Sequence, residues 1–580
     1  MAEDLKFVFH ICFQCSKRAA CLKILAAVMS AALTAANLVI LQKLIDSIVA
    51  ASGRNFSFQI PVWAVLLVTS EFLSSNRNHF GTLIDLSLER GLNRYLPERI
   101  VEKCRTISYA SFENKEKQDI LKRVNEQPVA KIMYIFNLAC AVLSDLLSVF
   151  SLTFLFLTIS LLLPVFFAAA MLLVARLTFL ASGLMEDLFF EQTVSERKME
   201  YFRSLFLDRH SLAELKFFHA IDHIKGRWEK CADSVLRDRL AATMRSQRYF
   251  AMSCGVLVIW VALVTAVLIG RLSGGHITIG VFVSMVSSSF TVLDLGNQIA
   301  RNLADFSRKA LEVRYLKLFF NLPDEENRDA GIPKNTCIEF RHVSFQYPGT
   351  ERMVLKDVSF RIEPGESVAI VGENGAGKST LIKLLCGLYP PTQGSVTIGG
   401  MEVSRISQEV LSRIIRVVFQ DFQDYWFSLR ENVTLGNREL KHHDTEIREA
   451  LENVNFSGIA SLDMPLGKLE EHAADLSRGQ WQRLAIARAC FADNKQSLMI
   501  FDEPSASLDP IAESRMYAMI YGLLKGRSCI LISHRLASAK MADRILVFKQ
   551  GMLSEDGTHE ELIKQGGDYC KMWSAQSSWY

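Results

Sequence analysis

From Ile24 to Gln42 the chain runs nineteen residues without a charged side chain. Coiled at 1.5 Å per residue, such a run reaches about 30 Å, the depth of the hydrocarbon core of a bilayer. The feature recurs. Residues from about Phe56 to Ser75 are interrupted only by Glu71, and Tyr249 to Gly270 carries no charge; Ile277 to about Ala304 carries Asp294. Ile132 to Leu177, broken by Asp145 and Arg176, is roughly twice as long as one crossing needs, so it is predicted to fold back near Ser160 to Pro164. Six membrane spans result. Helices buried in a large soluble core would not yield charge-free runs of this length so many times.

The spacing of Lys and Arg gives these spans a direction. Arg77 to Lys131 and Glu186 to Arg248 each hold about a dozen basic residues, whereas the other connections hold almost none beyond Arg54 and Arg271. With Lys6, Lys17 and Arg18 at the start, the rule that positive loops stay inside predicts two long cytoplasmic connections and cytoplasmic termini. Within those connections, Ser111 to Asn125 and Leu212 to Trp228 mix charge with apolar residues at helical spacing. They read as exposed helices with one sticky face that needs a cytosolic partner. The start of the chain has no signal-peptide pattern.

Half of the 580 residues are hydrophobic and 22% are charged, a balance expected of a chain that is part membrane and part soluble. A net charge of +3 over this length gives no footing for nucleic-acid binding. The twelve cysteines form no compact framework and read as reduced thiols facing a cytosol. Cys12 and Cys15 have no second close pair with which to build a zinc site.

From Glu339 onward short β-branched runs, glycine turns and helical stretches alternate, as in a parallel sheet flanked by helices. The change of texture divides the chain into a membrane domain of residues 1–322, a linker of residues 323–334 containing Pro323, Gly331 and Pro333, and a C-terminal domain of residues 335–580. In that domain VAIVGENGAGKSTLIKLL places strand, glycine loop and helix in the order a phosphate-binding loop requires. Gly372, Asn374, Gly375 and Gly377 let backbone N–H groups turn inward on phosphates, and the start of the helix adds its positive end. Lys378 is expected to reach the β and γ phosphates, Ser379 to offer a hydroxyl to Mg²⁺, and Thr380 to complete the motif. A second strand, Ser497 to Phe501, leads into Asp502 and Glu503 at the carboxyl edge of the sheet. Asp502 is expected to hold Mg²⁺, and Glu503 to polarise an attacking water.

With LSRGQWQR at Leu476 to Arg483, the chain resembles the ATP-binding cassette (ABC) exporters in their half-transporter form. The resemblance implies an α-helical six-span transmembrane domain fused to an α/β P-loop NTPase domain, an ATPase that works as a dimer. It implies that Ser477, Gly479 and Gln480 close over ATP held by the opposite subunit, and that Tyr347 stacks on adenine. Gln420 would link Mg²⁺ and water to the membrane domain, Ser507, Leu508 and Asp509 would speak across the dimer, and His534 would sense the γ-phosphate. The two amphipathic connections resemble the helices that rest on the cassettes. Arg478 departs from the LSGGQ pattern, and a cation there either weakens the closed state or adds a phosphate contact.

These features point to ATP-driven export across the cytoplasmic membrane by a dimer, a homodimer being simpler than a heterodimer. The substrate class is a peptide or a cationic amphipathic molecule, with lipid flipping as the rival and an ATP-gated regulator without transport as the alternative outside transport. Trp481 after the glutamine resembles the variant in exporters of lantibiotics and related modified peptides, and no peptidase domain precedes the first span. Glu71, Asp145 and Asp294 fall at a similar depth of roughly 20 Å, where they either line an acidic cavity or pair with Arg176.

Overall fold

A computed structural model describes residues 2–51, 58–160, 162–325, 328, 331–459, 461–491, 497–504, 510–524 and 526–577. Two compact units emerge: residues 1–106 with 119–322, and residues 107–118 with 323–580.

The first unit is a bundle of long helices. After Ala2–Cys15 come Lys17–Ala51, Gln59–Thr106, Pro128–Leu157, Leu162–Leu207, Ile221–Ser273 and Ile279–Phe320. The expected turn-back falls between Leu157 and Leu162. Among the described residues five of these helices are long and apolar enough to cross a membrane. The second expected span, in Gln59–Thr106, is not one of them, since Glu71 and several serines dilute its apolar run. Facing apolar side chains hold the bundle: Trp260 meets Phe156 edge-on at 5.6 Å and Phe167 at 5.0 Å, with Leu152, Val264, Leu268 and Met285 buried around them.

The polar connections differ from expectation. They are mostly continuations of the same helices rather than loops: 48 residues from Gln59 and 53 from Ile221 coil without a break. An α-helix satisfies its own backbone, so nothing in these sequences stops it where the apolar run ends. Ser111 to Asn125 is two helices, Ala110–Glu113 and Lys115–Asn125. Leu212 to Trp228 is likewise broken: the helix Arg209–Phe217 is followed by His219, whose φ of 49° is left-handed, before Ile221 begins the next helix.

The second unit holds two sheets. β1 (Ile338–Gln346), β2 (Met353–Ile362), β4 (Gln393–Ile398) and β5 (Met401–Glu402) form an antiparallel sheet in the order β2-β1-β4-β5. β3 (Ser367–Gly372), β6 (Ile415–Val418), β7 (Leu498–Asp502), β8 (Cys529–Ile532), β9 (Arg544–Lys549) and β10 (Met552–Gly557) form the other, in the order β10-β9-β3-β8-β7-β6. All of its pairings are parallel except β9 with β10. β7 and β8 are buried throughout, as strands covered on both faces must be, which explains their unbroken apolar sequences. β7 begins and ends one residue later than the predicted Ser497 to Phe501, so that Asp502 is its last residue.

Candidate functional site

In a parallel sheet the carboxyl ends of all strands lie on one edge, and helices leave from there. Register sets the depth: Ile370 of β3 pairs with Ile532 of β8, Ile532 with Asp502 of β7, and Phe501 of β7 with Val418 of β6. Gly372, Asp502–Glu503, His534 and Gln420 therefore emerge side by side, although more than 160 positions separate Gly372 from His534.

The loop from Gly372 to Gly377 wraps the end of β3 and opens the helix Lys378–Leu385. Two glycines are needed for close approach as well as for their left-handed backbone: at Gly372 a Cβ would lie 2.2 Å from the Phe548 carbonyl oxygen, and at Gly377 2.7 Å from the Leu355 side chain. Gly375 has φ 77° with open space beside it, and Asn374 is exposed at the tip. Lys378 is only 5% exposed; its ammonium donates to the carbonyls of Gly372 at 2.9 Å and Glu373 at 3.0 Å. Burial pulls its pKa below the usual lysine value, an effect countered in part by Glu503 and Asp502. Ser379 Oγ donates to Asp502 Oδ1 at 3.3 Å.

Asp502 is 3% exposed, and burial pushes its carboxyl up to about 6, with the neighbouring Glu503 and Asp421 adding to the rise against the pull of Ser379 and Lys378. A buried carboxylate so short of positive charge, beside a serine hydroxyl, suits a hard divalent cation with oxygen ligands. Ser379 and Asp502, with Gln420 nearby through Glu503, are the residues that fit Mg²⁺.

Glu503 sits at φ 48°, a conformation costly for a side chain of its size and one that concentrates at functional sites. Both of its oxygens are engaged. Gln420 Nε2 donates to Oε2 at 2.9 Å, and His534 Nε2 lies 2.5 Å from Oε1. His534 is in turn held through its backbone carbonyl, which accepts from Gln576 Nε2 at 2.5 Å. Gln576 lies in the final helix and bears no motif, so nothing in the local sequence marks it. Tyr347 donates or accepts at Thr380 Oγ1 across 3.0 Å and packs edge-on against Phe345 and Tyr389, with the Lys383 ammonium 5.3 Å from its ring centre.

The LSRGQ segment stands apart. Ser477 caps the helix Arg478–Cys490 in a reciprocal pair, accepting from the Gln480 N–H at 3.3 Å while Gln480 Oε1 accepts from the Ser477 N–H at 2.9 Å. The Gly479 carbonyl accepts from Arg483. Among the described residues no hydrogen bond joins Ser477, Gly479 or Gln480 to the loop from Gly372 to Thr380. Arg478 extends over the Phe422 ring, 4.2 Å from its centre, with Nη1 3.4 Å from Asp424 Oδ1. Trp481 is buried in the core beneath the helix, so its indole serves packing. Ser507, Leu508 and Asp509 lie outside the described residues.

In the helical unit Asp145 is buried and accepts from Asn302 Nδ2 at 3.2 Å, while Glu71 accepts from Asn37 Nδ2 at 3.0 Å. Asp294 and Arg176 are exposed. Among the described residues Arg176 forms no ion pair with Glu71 or Asp294.

A glycine loop, a carboxylate strand and a histidine strand converging on one sheet edge define a P-loop nucleotide-binding domain, here following a bundle of membrane helices. Residues 355–506 match the ABC transporter family. The chain is 27% identical over 99% of its length to the nisin transport ATP-binding protein NisT of Lactococcus lactis, and 29% identical over 99% to the subtilin transport ATP-binding protein SpaT of Bacillus subtilis. It covers 96% and 93% of those proteins respectively. A shorter match, 31% identical over 62% of each chain, is to the ATP-dependent lipid A-core flippase of Bordetella avium. The solved structure of a bacterial Atm1-family ABC exporter with ATP bound superposes with a TM-score of 0.77 over 96% of this chain and 98% of that one, at 21% identity. Residues 355–506 thus carry an ABC transporter ATP-binding domain, following helices long and apolar enough to cross a membrane, and the chain is similar along its length to transport ATP-binding proteins and in fold to an ABC exporter.

Proposed function

We propose that two copies of this chain form an exporter of the cytoplasmic membrane, with both termini cytoplasmic, that hydrolyses ATP to move a modified peptide outward. The observation that carries the reading is the Glu503 carboxylate, suspended between Gln420 and His534 at the sheet edge that also bears the phosphate loop. A carboxylate there can take a proton from water once one of its oxygens is released, and His534 is the group placed to release it by turning to a γ-phosphate. Lys378 then exchanges two loop carbonyls for phosphate oxygens, a substitution its burial favours because the ammonium gains a full countercharge. Tyr347 offers its ring to adenine. Ser379, Asp502 and Gln420 would hold Mg²⁺, which would supply positive charge against the β and γ phosphates.

The Ser477, Gly479 and Gln480 segment supports a dimeric site, since a second subunit has to bring these groups to the phosphates. Asp509 and its neighbours are assigned to the same interface by resemblance. Residues 323–334 serve as the linker between the domains. Peptide substrates are favoured over lipid because the end-to-end similarity is to proteins named for nisin and subtilin transport. The exposed Asp294 and Glu71 then offer negative charge to a cationic peptide.

Purified protein in lipid nanodiscs is expected to hydrolyse ATP, with Glu503→Gln losing at least about 100-fold in turnover while still binding ATP. Stimulation by cationic modified peptides supports peptide export; stimulation by lipid-linked glycans alone supports flipping. A Glu503→Gln protein as active as its parent would remove Glu503 from the chemistry and the proposal with it.

A further inference from the structure

The helix that begins at Arg478 grips the segment following β6 at two points. Near its end Arg488, half-buried, donates to the Asn432 carbonyl and side chain at 3.0 Å each and lies 4.8 Å from the centre of the Tyr425 ring. Asn432 itself donates to the Tyr425 carbonyl at 2.8 Å. The segment is thus fixed from Tyr425 onward. Between that anchor and Gln420 the backbone has no helix or strand; Phe422 packs on the core beneath the helix, and Arg478 stacks on the Phe422 ring and pairs with Asp424. Gln420, four residues before Asp424, donates to the catalytic carboxylate of Glu503. A chain of contacts therefore runs from the start of the LSRGQ helix to the base of the chain's own site.

On the reading that Ser477 and Gly479 close on ATP in the opposite subunit, we infer that Arg478, Phe422 and Asp424 are positioning residues that carry the state of that ATP to Gln420 and Glu503. Arg478 acts within its own chain, not on the partner's phosphate. Its guanidinium is committed to a carboxylate and a ring, and a glycine at this place would leave the stretch after Gln420 held by the packing of Phe422 on the core, without the polar tie at Asp424. Both contacts are partly exposed and individually weak, so the linkage tunes turnover rather than deciding whether the domain folds.

The test uses the full-length protein in nanodiscs, with kcat, KM for ATP, ATP binding and melting measured for Arg478→Asp, Asp424→Arg and the double exchange. Each single exchange is expected to lower kcat by roughly three- to tenfold with KM within about twofold, and the double to recover at least about half of the parent rate. Should Arg478→Asp not fold, Arg478→Lys and Asp424→Asn give the same comparison, the lysine keeping the charge but not the flat stacking. Unchanged kcat in both single variants would overturn the inference. So would losses that multiply in the double, or a loss confined to KM, which would place Arg478 directly on phosphate. A parent protein that hydrolyses no ATP would instead sink the proposed function itself.

Discussion

Asp502 is a single residue at which the proposed role opposes stability. Its folded pKa of about 6 lies above the ordinary aspartate value of 3.8, so the folded state holds the proton more tightly and loses stability as pH rises through this window. Above it the ionised carboxylate costs on the order of 3 kcal/mol. Asp502→Asn is therefore expected to melt higher than the parent at pH 7.5 without nucleotide, and by a clearly smaller margin at pH 4.5, inside the window where the folded parent carboxyl has taken up its proton. Equal melting at both values would show that burial of the charge costs nothing. The neighbours proposed for catalysis stood out in the sequence because the phosphate loop, the DE pair and the LSRGQ segment each have fixed local spacing. Asp424 and Gln576 were not, because a carboxylate on an irregular segment and an amide in the last helix gain their roles only from what folds beside them.

At the level of elements, the surprise lies in the segment of residues 107–118, which belongs to the C-terminal unit although the membrane-helix sequence surrounds it. Its hold is specific. Glu113 accepts from Lys383 at 2.8 Å and from the Tyr389 hydroxyl, and Tyr109 meets the Tyr389 ring edge-on at 5.6 Å. Burial raises the Glu113 pKa, but the hydrogen bonds from Lys383 and Tyr389 outweigh it and leave the value below the ordinary 4.5. A lowered carboxylate stabilises above its unfolded value and gives that up as pH falls through the lowered one, so the contact is at full strength near neutrality. Glu113→Gln is expected to speed amide hydrogen exchange across residues 107–118 by about five- to tenfold at pH 7, with ATP binding unchanged. Unaltered exchange would mean that the aromatic contacts suffice alone. The amphipathic spacing of Ser111 to Asn125 announced a sticky face; it could not say that the helix breaks at Asn114 or which lysine would receive Glu113.

For the whole molecule the prediction concerns division of labour between subunits. If each site takes its phosphate loop from one chain and its Ser477 from the other, a Lys378→Ala chain and a Ser477→Arg chain are each inactive alone. In a mixed dimer one site has both defects and the other has none. Co-expression should then restore ATPase toward about a quarter of the parent level by random pairing, as measured in the purified mixture. No recovery would argue that each chain completes its own site. Sequence by itself determined that this chain enters a membrane and binds nucleotide, because a charge-free run of bilayer length and a glycine loop before a helix are local patterns whose physics needs no distant partner. Tertiary structure decided which residues meet. Only the register of parallel strands brings Gln420, Glu503 and His534 to one edge, and only packing turns Arg478 toward Asp424, since such contacts depend on where separate segments lie in space and leave no periodic trace along the chain.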